Sequence, residues 1–172
     1  MSRRRDLQDY IIEIDERGKK VAKYIGITYN LTIDGGEYTK LRMLLFIKLA
    51  GVVAAYIVCG IIPTDVTRIL YISLPYGVAF LTTFFGILDV FGILTKKTAF
   101  TRKEFNKMSI NGPRQFSATM ILILISATGA IVQGLVNRDL TACLLYFPMC
   151  LVLAALCEMT KRDINRISDK VK

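Results

Sequence analysis

Two residues in this chain carry charge where charge is costly. Lys48 and Asp89 each sit inside a long apolar run, Leu41–Ile62 and Ile69–Leu94. An ionisable side chain within a membrane span is expensive, and its default reading is a functional one: an ion or proton relay, or a counter-ion. Lys48 lies seven residues past Leu41, about 10 Å into its run at 1.5 Å per helical residue. Asp89 lies five residues before Leu94, about 8 Å from the same side. If the two runs are antiparallel helices joined by a short turn, the charges share a depth and can pair. Two structural readings compete with transport. The pair can simply hold its helices together, or Lys48 can snorkel to the interface while Asp89 stays near water. Their position close to one face favours the structural readings.

Cysteine offers a second spacing. Cys143, Cys150 and Cys157 recur every seven residues, so they share a helical stripe that drifts about 20° per heptad. Successive members stand about 10 Å apart along the axis, too far for a disulfide or a shared metal ion within that helix. Cys59 is expected near the opposite membrane face from Cys157. Free cysteine is commonly a small buried apolar residue, and that is the reading adopted. The chain has no histidine, which removes Ser–His and Cys–His nucleophiles and the usual zinc and haem ligands. No CxxC, HExxH or P-loop occurs, and Asp89 and Glu158 form no recognisable carboxylate pair. The expectation is a protein that is not an enzyme and has no cofactor and no metal site.

The elements that position these residues follow from segregation. The chain is 53% apolar with mean hydropathy +0.44, yet 22% charged. Both hold because the charges flank apolar runs. The predicted spans are 41–62, 69–94, 116–136 and 140–157, each about long enough for the roughly 30 Å hydrocarbon layer. Pro63 closes the first, and Pro75 kinks the second and frees a carbonyl. Two faces of small residues permit close helix approach: Ala50 and Ala54 with Gly51 and Ala55, and Ser126, Ala130 and Gly134. The intramolecular use of these faces is favoured, because four helices must bury something.

Outside the spans, residues 1–40 and 158–172 are polar. Tyr10–Tyr29 predicts a β-hairpin around the Glu16-Arg17-Gly18-Lys19 turn, with alternating parity carrying on to Ile33. Asp34 with Glu37 and Thr101 with Glu104 spell capping boxes, the second with a Phe100/Phe105 staple. Asn111-Gly112-Pro113 is expected to break the short helix between them and the third span. The tail should prolong the fourth helix, with Ile164, Ile167 and Val171 at helical spacing.

The expected fold is an all-α integral membrane protein: four transmembrane helices as two antiparallel hairpins, with a small cytoplasmic N-terminal β-hairpin. The net charge of +9 is a topology signal here and not a nucleic-acid footprint. Twenty Lys and Arg flank the spans on the side of both termini and the 95–115 loop, against Arg68 and Arg138 in the two short turns. That asymmetry predicts termini inside the cell and location in the cell membrane. The expected partners are the bilayer and either another protein or further copies of this chain. Function reads as an accessory or assembly subunit of a membrane complex, with a small oligomeric transporter using Lys48 and Asp89 as the alternative. The topology has a direct check. Green fluorescent protein fused after Lys172 or after Asn106 should fluoresce, and alkaline phosphatase fused at Asp65 should be active. The reverse pattern would reject the orientation.

Overall fold

The computed structural model describes residues 10–14, 20–30, 32–61, 69–95, 99–137 and 141–170, with no side chains described at 10–14, 21–23 and 141–143. The Glu16–Lys19 turn, Pro63, Arg68 and Arg138 lie outside the described residues.

β-Branched and aromatic residues in Tyr10-Ile-Ile-Glu-Ile favour extended backbone. They form β1 (Tyr10–Ile14), which pairs antiparallel with β2 (Lys20–Tyr24), Tyr10 opposite Tyr24 and Ile14 opposite Lys20. The strand expected to run on to Ile33 does not do so. The chain bends at Gly26, and β3 (Thr28–Asn30) pairs antiparallel with β4 (Ala99–Thr101), placing Tyr29 opposite Phe100. The local alternation was real, but its partner lies some seventy residues away, beyond what periodicity can report.

Then come α1 (Gly35–Ile61) and α2 (Leu70–Leu94), a short α3 (Arg102–Asn106), a π-helical turn (Lys107–Asn111), α4 (Gly112–Asn137) and α5 (Thr141–Ser168). Among the described residues, four helices are long and apolar enough to cross a membrane, counting α3 through α4 as one. Each overlaps one of the four apolar runs. Their outer faces carry exposed Phe46, Ile57, Phe84, Phe85 and Leu144, a surface too apolar for water and suited to lipid.

The predicted break at Asn111-Gly112-Pro113 is corrected: the helix runs straight through. Thr101 and Glu104 do form their capping box, with the Glu104 N–H donating to Thr101 Oγ1 at 3.3 Å and the Thr101 N–H donating to Glu104 Oε2 at 2.9 Å. From there the Gly112 N–H bonds to the Lys107 carbonyl, one residue further back than in an α-helix. This wide turn immediately precedes Pro113, which has no N–H to place, and lets the helix continue past it. The Asp34–Glu37 box is also altered. The Asp34 carbonyl accepts the Tyr38 N–H at 2.9 Å, but the Glu37 carboxylate reaches Lys170 instead of turning back.

Packing order differs from chain order. α4 lies between α2 and α5, and α1 packs along α5, so the sequence across the bundle is α2, α4, α5, α1. Consecutive α1 and α2 meet only slightly and mainly through tyrosines. Tyr76 Oη donates to the Tyr56 carbonyl at 2.5 Å, and Tyr38 Oη donates to the Ile93 carbonyl at 3.0 Å. α2 and α4 approach far more closely. A Cβ on Gly112 would stand 2.8 Å from Val90 Cγ1, and one on Gly86 would stand 3.2 Å from the Phe116 ring. Lipid tails are as apolar as the side chains, so such close backbone approach is a main source of helix association.

This interface makes a test. Gly112→Val should lower stability by about 1–3 kcal/mol through overpacking. Gly77→Ala, where a Cβ meets nothing within 4 Å, should be neutral or slightly stabilising. Thermal unfolding in detergent distinguishes them, and equal effects at both positions would contradict the packing described.

Candidate functional site

Lys48 is on α1, its side chain 14% exposed, and it is bonded to Asp163 rather than Asp89. Lys48 Nζ donates to Asp163 Oδ2 at 2.5 Å, and the Asp163 side chain is 7% exposed. The expected Lys48–Asp89 pair is therefore corrected, for a physical reason. A short link between α1 and α2 does not oblige them to pack, and α1 takes α5 as its close neighbour. A charge pair so placed is worth most as a specific latch. It costs desolvation to build, and removing one partner strands the other.

Asp163 belongs to a longer pattern. On α5, Tyr146, Cys150, Leu153, Cys157, Thr160, Ile164 and Ile167 are all buried, spaced alternately by three and four residues. The cysteine heptad is thus part of an a/d seam, which runs past the predicted end of the span into the charged tail. Ile164 and Ile167 are fully buried, which identifies the tail as a packed continuation of the bundle. Cys143's side chain is outside the described residues. Cys59 of α1 comes close to Cys150 of α5. The three described cysteines are buried and unbridged.

Further contacts close the same end. Lys170 Nζ donates to Glu37 Oε1 at 2.5 Å, and the Thr32 N–H and Oγ1 both donate to the Lys170 carbonyl, at 3.1 and 2.7 Å. Tyr29 stacks on Phe105 with ring centroids 4.5 Å apart. The Arg102 N–H donates to Tyr24 Oη at 3.1 Å, so the end of β2 is tied to the start of α3.

Mid-bundle, hydroxyls converge on the Ala79 carbonyl. Thr82 and Thr83 Oγ1 each donate to it at 2.9 Å. Thr119 of α4 lies 2.8 Å from Thr82 and 3.1 Å from Thr83, and Thr83 Oγ1 lies 3.2 Å from Tyr56 Oη of α1. Nearby, Ser126 Oγ donates to the Ile72 carbonyl at 2.8 Å and shares a 2.8 Å bond with Tyr146 Oη. That carbonyl is one residue beyond the Tyr71 carbonyl that Pro75 leaves without its helical donor. These residues satisfy one another across all four long helices. Apart from Ser126, expected only as a small packing residue, none of them stands out in the sequence, because a single Thr or Tyr in an apolar run has many uses.

The small-residue positions divide. Ser126, Ala130 and Gly134 are buried in α4. On α1 only Ala55 is buried, Gly51 faces Leu156, and Ala50 and Ala54 are exposed. Asp89 stands apart from all this, in a pocket of about 290 Å³ between the end of α2 and the α3–π segment. Among the described residues, no group of His, Cys, Asp and Glu is arranged to hold a metal ion. No family model, curated protein or solved structure matches this chain.

The latch predicts a non-additive pair. Lys48→Met should cost about 3 kcal/mol by leaving Asp163 buried alone, whereas Lys48→Met with Asp163→Leu should recover most of that loss. Unfolding midpoints of the singles and the double are the measurement. Additive losses would reject the latch.

Proposed function

We propose that this chain is a non-enzymatic accessory or assembly subunit of a membrane complex in the cell membrane, with both termini in the cytoplasm. The observation that carries the reading is the β1–β2 sheet. Among the described residues it contains two strands and is not joined to the β3–β4 pair. Among the described residues, its strands hydrogen-bond only to each other in ladder fashion, so each keeps an outer edge for another strand. Such edges are templates for β-strand addition by a partner or by a second copy of the chain. A two-stranded hairpin is marginal in water on its own, so an added strand would also stabilise it.

The bundle beneath supports the same reading. Its intramembrane groups face one another in a latch and a hydroxyl cluster, as suits a scaffold that holds a docking element in place. The runner-up, transport through Lys48 and Asp89, needs both charges on one path. Lys48 is bonded to Asp163, while Asp89 lines a pocket beside the α3–π segment.

Two measurements on the full chain bear on this. Purified from its own host in mild detergent, the wild type should run as a complex larger than the monomer. Ile12→Pro, which disrupts the ladder, should run as the monomer with its bundle melting unchanged. Reconstituted vesicles should show no Lys48-dependent or Asp89-dependent ion flux. A monomeric wild type, or flux lost in Lys48→Met, would reject the proposal.

A further inference from the structure

The Asp89 pocket has a composition that the bundle does not use. Asp89 and Lys107 both line it, yet no hydrogen bond or ion pair joins Asp89 to any described residue. Lys107 stands near enough to Asp89 to be felt electrostatically without an ion pair between them. Glu104, on the same wall, is committed to Thr101 in the capping box. Among the described residues, the pocket therefore presents a carboxylate and an ammonium that face one space and form no ion pair with each other.

α2 has 25 residues and is about 37 Å long, roughly 7 Å more than the hydrocarbon layer. That surplus is enough to bring one end of the helix to the lipid headgroups. Leu88 and Phe91, on the pocket's rim, are 51% and 55% exposed. Apolar surface thus continues from the charged wall onto the lipid-facing side. Lys107 opens the π-helical turn, a rare geometry that often accompanies functional sites.

We propose that this pocket binds a zwitterion made of a primary ammonium and a phosphate, presented as a phosphatidylethanolamine headgroup. Asp89 accepts hydrogen bonds from the ammonium, and Lys107 pairs with the phosphate. Leu88 and Phe91 lie along the acyl chains. A quaternary ammonium has no N–H to donate, so a choline headgroup forfeits the Asp89 contact and keeps the Lys107 one. This inference stands independently of the accessory-subunit reading, since it concerns lipid alone.

The test is native mass spectrometry of the delipidated full chain, titrated with phosphatidylethanolamine and phosphatidylcholine of identical acyl chains. A charge-assisted hydrogen bond predicts an about tenfold preference for ethanolamine. Asp89→Asn should lower ethanolamine binding to the choline level and leave choline binding unchanged. Lys107→Gln, a surface change, should weaken both lipids and keeps the test informative if Asp89→Asn folds poorly. Soluble O-phosphoethanolamine is the competitor. Failure to displace the lipid assigns the headgroup as ligand, and displacement at comparable concentration assigns the same chemistry to a free solute. Equal binding of the two lipids by the wild type overturns the proposal. So does an ethanolamine preference that survives in Asp89→Asn, or unchanged binding of both lipids in Lys107→Gln.

Discussion

The contact between Lys48 and Asp163 is the constraint on which the bundle's arrangement depends. In a bilayer, helices gain little by hiding apolar surface from one another, because lipid is as apolar as leucine. Association then rests on close backbone approach and on polar groups that lipid cannot satisfy. α2 and α4 have the first, at Gly86 and Gly112. α1 shows no such tight glycine contact with its neighbours: a Cβ on Gly51 would stand 3.9 Å from Leu156. It is joined to α5 by the buried charge pair, with the Glu37–Lys170 bond nearer the end. An unpaired lysine at that depth is costly, so the pair specifies which helix α1 must meet.

The rest of the core distributes polar satisfaction in the same way. Thr82, Thr83, Thr119 and Tyr56 share one hydroxyl cluster, and Ser126 and Tyr146 form another beside it. Individually such bonds are worth only about 0.6 kcal/mol in membrane proteins. Their value lies in register. Each links helices at one height, so sliding any helix by a turn would leave hydroxyls facing hydrocarbon. Tyrosines bridge α1 and α2, whose backbones do not approach closely, and the Tyr56 ring meets Tyr76 at a tilt and Phe80 edge to face.

At the basic end the polar segments form a connected layer. β3–β4, Tyr29 on Phe105, Arg102 on Tyr24 and Thr32 on Lys170 tie the N-terminal segment, the middle connection and the tail together. This layer couples the β1–β2 hairpin to the membrane helices. A strand added to the hairpin would be anchored through Tyr24 to α3, and α3 leads directly into the π turn beside Asp89.

Sequence by itself determined the elements. Apolar run length fixes four spans, because a helix crossing hydrocarbon needs about twenty residues whatever its neighbours are. The Thr101–Glu104 capping box was likewise legible, and so was the part of the expected 10–29 hairpin that pairs Tyr10–Ile14 with Lys20–Tyr24, since the partners are close in sequence. Only tertiary structure decided who meets whom. Asp163 was hidden in a tail that reads as solvated, although the heptad through Cys150 and Cys157 already pointed along it. Asp89 lost its expected partner because chain order does not set packing order. Pro113 failed to break its helix because the preceding turn widened around it. In each case the deciding term was a contact between residues distant in sequence, and periodicity along a single helix carries no record of such contacts.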